Sequence, residues 1–290
     1  MVTVPLIDFT PPAERRPLEF APWIHGSPEG VENLDPAIQV QGYGEHTFVL
    51  RQNKSVHYEA PFLYLFFGND RAIMFDTGAT SDPALFPLRA TVDALVAGWL
   101  TAYPRDDYEL VVAHSHSHDD HYAADGQFAD RPNTTVIGVD AGSVRDYYGF
   151  GDDLAETVTF DLGGRPLEIM RAPGHDEASI VVFDPFTGWL LTGDTVYPGR
   201  LYVADAAAFI ASVARVAALA ASRNVSQVMG CHIEMSAEPG VDYPIGSTFQ
   251  PSEPALQLPP TVLAEIGAVA DEALVAGRYV YDSFIIVSRI

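Results

Sequence analysis

Residues 114–121 read His-Ser-His-Ser-His-Asp-Asp-His, and inside that run lies the spacing His116-x-His118-x-Asp120-His121. Four side chains able to bind a metal are crowded into six residues. On a strand or a helix alone they cannot all face one way. They converge if the chain leaves a strand and turns into the start of a helix. Neutral imidazoles and a carboxylate packed this densely are costly to bury unless a cation shares them. The flanks agree with that geometry. Glu109-Leu110-Val111-Val112-Ala113 is a short apolar run of strand type, and Tyr122-Ala123-Ala124-Asp125-Gly126 is helix-compatible and ends in a breaker. His116 and His118 are two apart and share one side of an extended segment. Asp120 and His121 follow the turn and address a neighbouring position. The pattern predicts two adjacent metal sites.

Composition narrows which cations and partners suit such a site. Cys231 is the only cysteine, which excludes an intrachain disulfide and a zinc site built from cysteines. The ligands must then be His, Asp and Glu, a set suited to zinc first, with manganese or iron as alternatives. The formal charge of −23 argues against nucleic acid as substrate, because phosphate binding needs Lys and Arg, and Lys54 is the only lysine. A neutral or weakly charged small molecule is the expected substrate, although a local Arg can override the global field. The chain is 48% hydrophobic with a mean hydropathy of +0.07, enough for a sizeable core. No stretch of about twenty apolar residues lacks charge or Pro, so no membrane span is expected. No basic segment precedes an apolar run at the N-terminus, so a cytoplasmic location is expected.

The 290 residues are read as one domain of repeated strand and helix groups. Residues 1–45 are a Pro-rich arm or cap, which could be exchanged between subunits of a homo-oligomer. Strands are expected at 47–52, 61–67, 72–75, 109–113 and 134–139, then as pairs within 157–171 and 179–192, and at 225–229. Helices are expected at 82–101, 141–148, 205–222 and 261–276, and a last strand at 279–290. Residues 233–260 are Pro/Gly-rich and weakly patterned, as a long pocket-lining loop would be. The order fits an α/β (α+β) chain with two sheets face to face and helices outside, a four-layer αββα sandwich.

Three further candidates each follow an apolar strand and a glycine: His175 in Ala172-Pro173-Gly174-His175, Asp194 in Leu191-Thr192-Gly193-Asp194, and His232 in Gly230-Cys231-His232. With Asp76-Thr77-Gly78, the set His116-x-His118-x-Asp120-His121, His175, Asp194 and His232 resembles the metallo-β-lactamase superfamily of metal-dependent hydrolases. The resemblance covers residues 60–232 through five ordered motifs. It implies that His116, His118 and His175 hold one metal, that Asp120, His121 and His232 hold a second, and that Asp194 bridges them with a hydroxide between. It also places Asp76 behind the ligands, orienting one by a hydrogen bond. Asp120 can shuttle a proton to the leaving group. Two departures qualify the match. The commonest class B β-lactamases use a cysteine where this chain has the bridging Asp194, so antibiotic hydrolysis is not the favoured reading. The third motif reads Pro-Gly-His175-Asp176-Glu177 where many relatives have Pro-Gly-His-Thr.

Tyr197 lies three residues after Asp194. Dinuclear lactonases of the superfamily carry a tyrosine at that offset, which implies a hydrogen-bond donor to a substrate carbonyl and hence a lactone or ester substrate. An amide or thioester is a related possibility. His114 is read as packing or hydrogen-bonding behind the ligands, and Cys231 as a small buried hydrophobe facing away from His232. Two alternatives share the scaffold. Iron-dependent redox chemistry is opposed by His118, where flavodiiron-like members carry Glu, and by the missing flavin domain. A phosphodiesterase or nuclease is opposed by the net charge.

Overall fold

The computed structural model describes residues 5–290. The first sheet runs in chain order, β1 (Ile38–Gly42), β2 (Thr47–Gln52), β3 (Phe62–Phe67), β4 (Arg71–Phe75), β5 (Glu109–Ala113) and β6 (Thr134–Val136). Its first four strands are antiparallel and its last three pair in parallel. The parallel step from β4 to β5 needs a crossover, supplied by helix α1 (Leu88–Ala102). Two short helices follow β5 and β6: α2 (Asp119–Tyr122) and α3 (Ala141–Tyr148).

The second half repeats the plan. Strands β7 (Thr157–Asp161), β8 (Pro166–Arg171), β9 (Ile180–Asp184) and β10 (Trp189–Gly193) form an antiparallel meander. The chain then makes β11 (Arg200–Val203), helix α4 (Ala206–Ser222) and β12 (Gln227–Gly230), which returns parallel to β10. Strand β13 (Gln257–Leu258) closes that edge, helix α5 (Val262–Val269) follows, and β14 (Gly277–Val280) and β15 (Ile285–Ser288) join β11 in a small third sheet.

Side-chain alternation explains the layers. The run Phe62-Leu63-Tyr64-Leu65-Phe66-Phe67 is buried on both faces. Phe62, Tyr64 and Phe66 join Ile169, Ile180, Val182 and Trp189 between the two large sheets. Leu63, Leu65 and Phe67 face the opposite way, onto Leu88, Val92, Val96 and Trp99 of α1. Across the molecule Val181, Phe183 and Leu190 meet Phe209, Val213 and Val216 of α4. The result is the αββα sandwich. No described helix is long and apolar enough to cross a membrane.

Helix α5 is shorter than the expected 261–276, β6 stops short of 139, and β13 lies inside the expected loop 233–260; four further differences have a plain physical reason. Strand β1 lies inside the expected arm; Ile38 and Val40 alternate with Gln39 and Gln41, a pattern too short to stand out until β2 pairs with it. Helix α1 starts at Leu88 because Pro83 and Pro87 hold the preceding turn. Strand β11 has only four residues, and its partner β15 lies more than eighty positions away. The expected last strand is a hairpin, closed by Tyr281 N–H donating to Phe284 O at 2.9 Å.

Candidate metal centre

All the candidate ligands sit at one end of the sandwich, past the C-terminal ends of β5, β8, β10 and β12, with Asp76 past the end of β4. That is where parallel α/β sheets place their sites. His114, Ser115 and His116 continue β5, and His118 caps the start of α2 in extended conformation. The turn thus aims two imidazoles from one side and offers Asp120 and His121 to the other.

Glycine lets the remaining loops come close. Gly174 has φ +140°, and a Cβ there would lie 2.4 Å from Phe209 Cα on α4. Gly193 has φ +50°, and its Cβ would lie 2.8 Å from the Cβ of Ser115. The residue following each, His175 and Asp194, therefore reaches the β5 loop. The Asp176 departure has a local role of its own. Its carboxylate accepts from Ser117 N–H at 3.2 Å and Ser117 Oγ–H at 2.8 Å, clasping the His175 loop to the His116–His118 loop.

Two trios result. His118 Nδ1 lies 3.1 Å from His116 Nε2 and 3.0 Å from His175 Nε2. Asp120 Oδ2 lies 3.2 Å from His121 Nε2 and 3.1 Å from His232 Nε2, which are 3.3 Å from each other. Asp194 stands between: Oδ1 is 3.4 Å from His232 Nε2 and 3.8 Å from His121 Nε2, and Oδ2 is 3.9 Å from His175 Nε2. A tetrahedral ion with metal–nitrogen bonds of about 2.0–2.1 Å spaces its ligand atoms about 3.4 Å apart, so both trios are close to the size that fits.

The outward nitrogens fix which atoms face inward. His175 Nδ1 is 2.9 Å from the Tyr202 carbonyl, His232 Nδ1 is 3.2 Å from the Glu59 carbonyl, and His121 Nδ1 is 2.9 Å from Asp76 Oδ2. Each pairing commits a proton to Nδ1 and turns Nε2 into the centre as the atom left to bind a metal. A proton shared among the three facing nitrogens of the first trio leaves at least one of them without a partner. Asp194 Oδ1 is buried with no hydrogen-bond partner. Inward-facing nitrogens and an orphaned carboxylate oxygen fit divalent cations.

The electrostatics follow the same division. Burial disfavours a charged His121, but Asp120, Asp76 and Asp194 override it and hold its proton affinity well above the ordinary value. Burial likewise opposes charge on His232, yet Asp194 and Asp120 push its pKa up to about 9. His116 lies among other imidazoles, and burial together with His121, His175 and His118 drives its pKa well below the usual range. Protons and cations therefore compete at the carboxylate-rich trio more than at the imidazole-rich one.

Asp76 sits in the left-handed region at φ +68°, fully buried. Besides His121 it accepts from Ser115 N–H at 2.6 Å, Ser115 Oγ–H at 2.9 Å and Cys231 S–H at 3.2 Å. The Cys231 thiol is buried and faces away from His232, as expected, but it contacts this carboxylate rather than serving only as packing. Replacing Asp76 with Asn keeps the size and tolerates the backbone. It removes the charge behind His121, and metal affinity is expected to fall about 10–100-fold, read by competition with a chelator. Unchanged affinity would show that Asp76 does not tune the ligand.

His114 takes no part in the cage. Its Nε2 lies 2.9 Å from Asp125 Oδ1, which also accepts from Thr77 Oγ–H. Tyr197 is buried with its ring 5.7 Å from that of His232, but its hydroxyl is already engaged by the Arg200 carbonyl and by Glu234 at 3.0 Å. A phenol has one proton to give, so this geometry leaves none for a substrate carbonyl.

A cleft of about 260 Å³ opens over the cage. Its walls include Tyr58, Tyr202, Glu234, Ile245 and Arg289, none of which any sequence motif marks. The loop carrying Tyr58 and Glu59 is pinned from below by Lys54, whose Nζ donates to the Tyr58 carbonyl at 3.1 Å; burial lowers its pKa to about 8. Of the 233–260 segment, Glu234 and Ile245 reach the cleft. Tyr243 instead hydrogen-bonds Ser252 N–H, and Phe249 packs on His25.

The family model for the Metallo-beta-lactamase superfamily matches residues 60–226. The chain belongs to the metallo-β-lactamase superfamily. Among solved members of that superfamily, the metallo-β-lactamase from Erythrobacter litoralis superposes with a TM-score of 0.56 at 16% identity, covering 81% of this chain and 97% of that one. The enzyme from Pontibacter korlensis gives 0.52 at 16%, covering 81% and 99%. These likenesses show the metallo-β-lactamase fold. A hydroxyacylglutathione hydrolase from Rhizobium meliloti (strain 1021) is 27% identical over 124 residues, 41% of this chain and 48% of that protein. The match thus spans about half of that relative's length.

Proposed function

We propose that this superfamily member is a dinuclear metal hydrolase of a small ester or lactone, with thioesters as a related class. Its ligands are His116, His118 and His175 for one ion, Asp120, His121 and His232 for the other, and Asp194 between them. The observation that carries the reading is the orphaned Asp194 carboxylate between two converging trios. Bound divalent cations, zinc first among them, supply a water that ionises near neutral pH and a Lewis acid for the substrate's carbonyl oxygen.

The chain's own residues do the rest. Asp76 and the carbonyls of Glu59 and Tyr202 hold three imidazoles in one tautomer. Asp120 faces the cleft and can carry a proton to the departing alkoxide. Tyr197 and Glu234 form a wall, and the tyrosine is assigned no proton transfer. The size of the cleft and its four acidic lining residues favour a small molecule over nucleic acid.

The test combines elemental analysis of protein purified without chelator with turnover of lactones, aryl esters, thioesters, phosphodiesters and β-lactams. Two divalent ions per chain and turnover of carboxylic esters or lactones are expected. Metal content well below one ion per chain, or turnover confined to phosphodiesters, would overturn the reading.

A further inference from the structure

We propose that Arg289 binds a carboxylate of the substrate, so that the esters or lactones accepted by this cleft are anionic ones; this rests on the hydrolase reading above.

The register of the third sheet delivers the residue. Strand β15 runs parallel to β11 with Tyr202 opposite Val287 and Val203 opposite Ser288. The next residue along, Arg289, donates its backbone N–H to the Val203 carbonyl at 3.1 Å. Its guanidinium carbon then lies 4.1 Å from the centre of the Tyr202 ring, at the lip of the cleft. Tyr202 joins this group to the cage, since its own carbonyl holds His175 Nδ1 at 2.9 Å. One residue therefore links the cation at the lip to the ligand below it.

The charge balance makes the placement informative. The chain has 16 basic residues against 39 acidic ones, and four carboxylates line this cleft: Glu59, Asp120, Asp194 and Glu234. Glu234 is taken by Arg200, at 2.7 Å. Arg289 enters no ion pair among the described residues, and apart from the cage histidines it is the one basic side chain lining the cleft. A guanidinium laid over an aromatic ring keeps its in-plane N–H donors free at the edge, the arrangement that receives a carboxylate in two parallel hydrogen bonds. Ile245 and the ring of Tyr58 also line the cleft and suit the short apolar stem of such a substrate. The expectation of a neutral substrate, drawn from net charge, is thereby reversed locally.

The test uses the metal-loaded protein, Arg289→Ala and Arg289→Lys. Two aryl esters of equal chain length are compared, one a half-ester of a dicarboxylic acid and one neutral. The native protein should prefer the anionic ester. Arg289→Ala should lose that preference through KM by about 10–100-fold, the worth of one charged hydrogen-bonding partner, with a much smaller change on the neutral ester. Arg289→Lys should retain part of it. Glutarate binding, followed by calorimetry, reads the same contact without turnover and should weaken similarly in Arg289→Ala. Equal loss on both esters, no preference in the native protein, or glutarate binding indifferent to the substitution would overturn the assignment. If neither these esters nor the lactones and thioesters of the wider panel turn over while glutarate binding still depends on Arg289, the hydrolase reading fails and the carboxylate site stands.

Discussion

Asp194→Ala should abolish hydrolysis and lower the metal content of the purified protein. Both oxygens of this carboxylate face imidazole nitrogens from opposite trios, and Oδ1 has no other partner. No neighbouring side chain can take its place. Losing the cations removes several kcal/mol of charge stabilisation from the transition state, on the order of 10³-fold in kcat. Asp194→Asn keeps the volume and one oxygen but not the charge, and it should fall between. Elemental analysis alongside initial rates separates the outcomes. A variant that keeps its full metal content and a rate within about tenfold of native would show that Asp194 is not the bridge.

The largest effect on stability is expected far from this chemistry. Arg165 lies in the turn before β8, and so at the end of the sandwich opposite the cage. It is fully buried, as is its partner Asp184. All five guanidinium N–H groups find acceptors. They go to the carbonyls of His46 and Phe67, to Thr47 Oγ, and to both oxygens of Asp184, the closest at 2.6 Å. Phe66 packs its ring face on the guanidinium with 4.7 Å between them. The acceptors come from the first sheet and Asp184 from the second, so one side chain ties the two together. Arg165→Met leaves Asp184 charged and buried and should cost about 3–5 kcal/mol in urea unfolding. The double variant Arg165→Met/Asp184→Leu removes both charges and should recover much of that loss. A single-variant cost below about 1 kcal/mol would mean that solvent reaches the pair.

The cage was legible in the sequence because each part of it is encoded locally. A strand delivers the backbone, a glycine bends it, and the ligand follows within a residue or two. His175 and Asp194 follow this rule, and His116 to His121 supply their own turn. The fold's two halves were legible for a similar reason, since runs such as 62–67 and 206–222 announce themselves by apolar content and period. What stayed hidden depends on pairing across long separations. Strand β11 has no signal until β15 lies beside it. The same pairing puts Arg289 at the cleft, and only a folded chain shows that Arg200 neutralises Glu234 while Arg289 stays unpaired. Tyr197 shows the reverse error. Its offset from Asp194 promised a proton donor, but offset alone cannot reveal that Arg200 and Glu234 have already claimed the hydroxyl.

The clasp between Asp176 and Ser117 has an implication for transplantation and for evolution alike. It makes the His116–His118 loop and the His175 loop one mechanical unit, although 59 positions separate the clasped residues. Copying the histidine-rich octapeptide alone into a foreign scaffold would leave its imidazoles without their counterpart. Lengthening either loop by a residue would pull on both arms together. Such insertions should therefore be rarer between these anchors than in the loop beyond Glu234, where drift can reshape what the protein accepts without disturbing how it reacts.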